Sequence, residues 1–91
     1  MTILEEAEQL AGKVRSDKYG HPFDNFTQTG KLWAPALDKD EVTPEQVALC
    51  MILAKISRLT HSPDHADSLV DIAGYARAYE MVRERRDASD S

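Results

Sequence analysis

A single cysteine, Cys50, stands in a chain of 91 residues. No disulfide can close within such a sequence, and no cysteine cluster can hold zinc. Cys50 sits inside an apolar run with no catalytic partner in view, so it is expected as a small buried hydrophobe. Basic residues form no long run and the formal net charge is -5, which argues against a phosphate-backbone binder driven by counterion release. Nonspecific DNA binding is not expected. No apolar stretch approaches the ~20 residues that cross a bilayer, and Met1 to Leu10 carries acidic residues where a signal peptide would have basic ones. The expectation is a cytoplasmic protein without a membrane partner. A glycine-rich phosphate loop is missing, as is any serine, histidine and acid arrangement, so nucleophilic catalysis has no support.

Apolar residues make up 42% and charged residues 30% of the chain, a globular balance. A chain of this length makes one domain, set here at residues 1–86 with a polar tail at 87–91. Periodicity gives an all-α, four-helix reading with no convincing strand. The first helix is predicted from Ile3 to Tyr19, with Leu4, Ala7, Leu10, Ala11 and Val14 as its stripe and Gly20 as a left-handed cap. HPFDNF reads as a turn. Phe26, Gly30, Trp33 and Leu37 then share helical spacing, and Pro35 shortens or kinks the end of that second helix. Thr43, Pro44 and Gln46 supply an N-cap, a first-turn proline and a capping-box partner for a third. Val47 to Ala54 is apolar without a break, so this helix is expected to be surrounded by protein on most sides. Ser62 and Pro63 repeat the cap-then-proline signal for a fourth helix ending near Arg86.

The fourth helix looks occupied on two sides. Leu69, Ile72, Ala73, Ala76 and Tyr79 form the expected core face. Opposite them, Asp67 and Asp71 lie one turn apart, and Gly74, Tyr75 and Ala78 continue that stripe, where another backbone or a ligand could approach closely. Two occupied faces on so short a chain predict an oligomer, with a dimer as the default. Lys55 and Arg58 end the third helix at i and i+3. A short connection makes the two helices antiparallel, which brings these bases near Asp67 and Asp71. One reading of the four residues is mutual neutralisation of buried charge. The other is a site in which the bases hold a phosphate or other anion while the aspartates hold a divalent metal, for which magnesium is the suitable ion.

The residues Arg15, KYG at 18–20, Trp33, KISRL at 55–59 and DSLVDIAGYA at 67–76 carry a resemblance. In that order they resemble small phage and bacterial proteins associated with nucleotide modification, which in turn resemble the all-alpha nucleoside triphosphate pyrophosphatases (MazG-like). The resemblance implies a helical, oligomeric fold and a nucleotide ligand, in the host cytoplasm if the chain is phage-encoded. It also raises Arg15, Lys18 and Tyr19 as donors and an aromatic face for an anion site, beside their simpler role at a helix C-terminus. In the pyrophosphatases, an E-x-x-E helix pairs with an E-x-x-D helix to bind magnesium. Here KISR and SLVD stand at the corresponding places, so Lys55 and Arg58 replace two acids. Glu5 and Glu8 also spell E-x-x-E, but on an amphipathic helix they read as a solvated face.

His61, Asp64, His65 and Asp67 read better as a solvated turn than as a metal cluster, and Phe26 and Trp33 better as core than as a stacking platform. The resulting expectation is a compact MazG-like helical domain that binds a nucleotide or other phosphate-bearing small molecule. Lys55, Arg58, Arg15, Lys18, Tyr19 and Tyr75 would contact it, and Asp67 and Asp71 would hold any Mg2+. Two alternatives stand beside it: a magnesium-dependent nucleoside triphosphate pyrophosphohydrolase, and a phage interaction protein that inhibits a host factor.

Overall fold

A computed structural model describes residues 1–10 and 18–90. Among them are four helices and no strand: α1 (Ile3–Glu8), α2 (Pro22–Ala36), α3 (Pro44–His61) and α4 (Ala66–Asp90). Local chemistry accounts for most of the boundaries. Thr2 and Glu5 cap α1 reciprocally, and Thr43 and Gln46 do the same for α3 at 3.1 and 2.8 Å, with Pro44 at the first helical position. Lys18 and Tyr19 are helical and lead into Gly20 at φ 81°, the left-handed conformation expected of it. Ala11, Val14 and Arg15 lie outside the described residues.

Histidines set two helix starts that differ from the sequence reading. HPFDNF is the opening of α2 rather than a turn, because His21 has extended backbone and its Nδ1 accepts the Phe23 N–H at 3.0 Å. Ser62 ends α3 instead of starting α4, donating its N–H to the Arg58 carbonyl at 2.9 Å. His65 immediately precedes α4 and its Nδ1 accepts the Ser68 N–H at 3.2 Å. Pro35 falls in the last turn of α2, where the helix stops one residue later. At the other end of the chain, α4 continues past Arg86 to Asp90.

The core is a cluster of Phe26, Val47, Ala48, Ala78 and Val82, with Trp33, Met51, Tyr75 and Tyr79 packed against it. Phe26 and Trp33 are therefore core residues, as expected. The buried face of α4 is another matter. Ser68, Val70, Ala78 and Val82 are its buried positions, whereas Leu69 is 41% exposed and Ala76 is exposed. Small and apolar residues occupy both stripes of this helix, so periodicity alone could not choose between them. The Ser68 hydroxyl tolerates burial because it pairs with His65 Nδ1 at 2.8 Å.

The Gly74 side of α4 is covered from within the chain. The Ala7 carbonyl lies 4.0 Å from where a Cβ on Gly74 would stand. Arg77 Nε donates to Glu8 at 3.0 Å while Nη1 reaches Glu80 and Glu84. Burial would lower the Arg77 pKa, but Glu84 and Glu8 outweigh it and hold the guanidinium above its ordinary value. Glu8 is thus a tie between α1 and α4 and not merely solvated. With α1 over its Gly74 side, the fourth helix does not need a second copy to cover that face.

The uncovered apolar face belongs to α3. Only Pro44, Val47 and Ala48 are buried in that helix, and Leu49, Leu53 and Ile56 are 47%, 62% and 45% exposed. Cys50 is exposed too, contrary to expectation. An unbroken apolar run does not state which of its sides is covered. In α1, likewise, Ala7 is buried but Leu4 is 75% exposed.

Gly30 marks a close approach between α2 and the chain before α3, since a Cβ there would collide with the Val42 carbonyl. Gly30→Ala should therefore destabilise the protein. Overpacking against backbone costs about 1–3 kcal/mol, which exceeds the ~1 kcal/mol gained in helix propensity. A lower thermal midpoint with unchanged helical circular dichroism is the expected result.

His21 supplies a second prediction. Burial and the charge of Arg85 hold its pKa below the ordinary 6.5, against the opposing influence of Asp24 and Glu84. The folded state thus prefers the neutral ring, whose Nδ1 caps α2. That stabilisation is complete above the unfolded value and is lost as pH falls through the depressed folded one. His21→Asn retains an acceptor that does not titrate. As pH falls below the ordinary histidine value, wild type should lose stability relative to this variant, as read from denaturant titrations at each pH.

Candidate functional site

The junction of α3 and α4 is built by three short-range bonds. The Ser62 N–H closes the end of α3, the His65 N–H donates to the Ser62 carbonyl at 3.0 Å, and the Ser68 N–H donates to the His65 carbonyl at 3.1 Å. The helices leave this junction antiparallel, and Lys55 meets Asp71 with Nζ 3.1 Å from Oδ2. Their side chains are 25% and 38% exposed, so the pair is neither dry nor fully solvated.

The other two members of the expected cluster stand apart from this pair. Arg58 and Asp67 are exposed, and neither makes an ion pair among the described residues. One half of the anticipated four-residue network is thus a formed pair, and the other half is a free base and a free acid on adjacent helix ends. Burial of a full network would have required all four charges to be matched. The observed exposure removes that requirement.

The remaining candidates are placed as follows. Lys18 and Tyr19 are exposed in the stretch before Gly20, and Arg15 lies outside the described residues. Tyr75 packs on the core, its ring centroid 6.2 Å from that of Phe26. Asp67 and Asp71 offer two carboxylates, one of them already accepting from Lys55. Among the described residues, no three His, Cys, Asp or Glu side chains form a group able to hold a metal ion. This donor set does not fit the multi-carboxylate magnesium centre that the pyrophosphatase resemblance implies.

A second constellation escaped the sequence reading. Arg85 and Arg86 lie over the Phe23 ring at 6.0 and 5.9 Å. Arg85 also reaches Asp24 at 3.4 Å, and Arg86 reaches Glu45 at 2.8 Å. Beside them is an open groove of about 460 Å³ lined by Phe23, Asp24, Thr27, Gln28 and Lys31. The signal was RERRD at 83–87, which reads as a helix end until Phe23 is known to face it. With both arginines engaged by acids, this patch serves to fasten α4 to α2 and α3.

A family model matches residues 2–83, nearly the whole chain. The chain belongs to the family called domain of unknown function DUF6378. Two curated relatives of this DUF6378 chain are phage proteins. The Gene 55 protein of Mycobacterium phage D29 is 42% identical over 83 residues, covering 91% of this chain and 54% of that protein. The Gene 55 protein of Mycobacterium phage L5 is 40% identical over 83 residues, covering 91% and 53%. The chain therefore spans about half the length of these relatives. No solved structure matches it. No helix among the described residues is long and apolar enough to cross a membrane.

The geometry revises what breaking the Lys55–Asp71 contact should cost. Leaving one member of a buried network unpaired would cost about 3–5 kcal/mol. A pair this exposed is worth about 1 kcal/mol or less. A double-mutant cycle with Lys55→Met and Asp71→Asn, read by urea unfolding, should give a coupling within that smaller range.

Proposed function

We propose that this DUF6378 chain is a small, phage-type helical protein that binds a nucleotide or nucleotide-like phosphate ligand at the Lys55–Arg58 end of α3. The observation that carries this reading is Arg58, an exposed guanidinium one turn from Lys55 with no ion pair among the described residues. A planar guanidinium matches phosphate oxygens in a forked geometry, and an ammonium one turn away adds a point charge on the same face. Asp71 orients Lys55 without engaging Arg58. The resemblance to MazG-like proteins supports a nucleotide as the ligand and raises Arg15, Lys18 and Tyr19 as further donors and an aromatic face. Tyr75 fits less well, since its ring serves the core.

Magnesium-dependent pyrophosphohydrolysis has weaker support. Releasing pyrophosphate needs an activated water and neutralisation of developing charge on the triphosphate, which several carboxylates and their metal ions accomplish together. Asp67 and Asp71 are two acids, one of them held by a lysine, and lysine and arginine occupy the positions of further ligands.

The test is direct. Arg58→Ala should weaken binding of nucleoside di- or triphosphates by roughly 30-fold, about the 2 kcal/mol of a charge-assisted bond, with the circular dichroism spectrum unchanged. Calorimetric titration should show binding that persists in chelator, with little pyrophosphate released. Efficient magnesium-dependent turnover that Asp71→Asn abolishes would instead make the protein an enzyme. Absence of any nucleotide-induced thermal shift, with one host protein recovered specifically on the immobilised chain, would favour the host-inhibitor reading.

A further inference from the structure

His21 stands at a corner where charges from two helices converge. Its Nδ1 accepts the Phe23 N–H at 3.0 Å, and the charged groups that face it among the described residues are Asp24 on α2 and Arg85 and Glu84 on α4. Burial and Arg85 favour the neutral ring, whereas Asp24 and Glu84 favour the charged one. Asp24 is the shared partner. It occupies the third helical position after the His21 cap, from which a side chain can reach back to the cap residue, and it already accepts from Arg85 Nη1 at 3.4 Å.

A ring nitrogen that accepts a backbone N–H carries no proton of its own. Protonation makes Nδ1 a donor, so the Phe23 N–H loses its acceptor. The same proton places a cation at the positive end of the helix dipole and beside the Arg85 guanidinium. Two acids can relieve it. Glu84 accepts from Arg77 at 3.2 Å, and Asp24 exerts the stronger influence on the ring. We propose that protonation of His21 exchanges partners at this corner: the imidazolium takes Asp24, and Arg85 gives up both Asp24 and its place over the Phe23 ring.

The contact that must yield is a weak one. At 3.4 Å it is the longest ion pair among the described residues, and its side chains are 39% and 66% exposed, where such pairs contribute about 1 kcal/mol or less. Arg86 takes no part. Its Nη2 donates to Glu45 at 2.8 Å, so α4 stays tied to α3 while its link to the first turn of α2 changes. Phe23 lines the open groove with Gln28 and Lys31, and the departure of Arg85 leaves that ring less covered in acid than at neutral pH. The corner is a pH-sensitive latch between α2 and α4, independent of the ligand reading.

Heteronuclear NMR of the full chain from about pH 8 to about pH 5, the range in which histidine titrates, tests the exchange. The Arg85 Nε–H and Phe23 ring signals should shift with the midpoint of the His21 ring, while the amide signals of Ala48 and Ala78 stay fixed. Protection of the Phe23 amide should fall roughly 5-fold, the loss of one cap. His21→Asn keeps an acceptor that does not titrate, so the Arg85 signal should hold its high-pH position throughout. Should that variant misfold, two others decide: Asp24→Asn should move the His21 midpoint to lower pH, and Arg85→Gln should move it to higher pH. A His21 titration that leaves Arg85 and Phe23 unmoved, an Arg85 shift that persists in His21→Asn, a midpoint indifferent to both other variants, or Ala48 and Ala78 signals lost at that same midpoint overturns the proposal.

Discussion

The contact between α3 and α4 is the constraint on which the rest of the structure depends. Ala48 and Ala78 are fully buried where the two helices meet, flanked by Val47 and Val82. Small side chains at a crossing let helix axes approach closely, and the larger ones beside them lock the register. That register fixes both ends at once. Lys55 comes opposite Asp71 near the junction, and Glu45 comes opposite Arg86 at the far end. Phe26, at 1% exposure, closes the cluster from α2, and burying one phenylalanine is worth roughly 1.5–3 kcal/mol. The candidate site is thus a by-product of packing, because the valine and alanine register decides which charges can meet.

What could be read from sequence divides by how local its cause is. The start of α3 was legible because a capping box is complete within four residues, and Gly20 because one conformation favours one residue type. The starts of α2 and α4 were missed because histidine rarely caps helices, and its ring competes with familiar signals nearby such as Ser62 and Pro63. Proximity of Lys55 to Asp71 followed from a short connection between long helices. That Arg58 and Asp67 stand outside the pair did not follow, since helical spacing places a residue on a face but does not say which neighbour its side chain chooses. The unbroken apolar run of α3 hid an exposed stripe for a related reason: burial is a property of what surrounds a helix, which its own sequence does not contain.

The family likeness and the geometry bear on different parts of the functional question. DUF6378 membership and the mycobacteriophage relatives locate the chain among phage proteins. The choice between a ligand-binding module and a hydrolase rests on the charges at the α3–α4 junction. In the proposed reading lysine and arginine there hold an anion, whereas hydrolysis of a triphosphate calls for clustered carboxylates around metal.

The thin attachment of α1 has a consequence for the order in which the fold comes apart. Ala7 is the one buried position in this short helix, and Glu8 with its partner Arg77 provides the polar tie to α4. Little apolar surface is therefore given up if α1 lifts away, while α2, α3 and α4 keep their shared cluster. Cooperative units with few buried contacts open at a small fraction of the global free energy. Lifting α1 would bare the glycine side of α4 around Gly74 while the aromatic and valine side stayed closed.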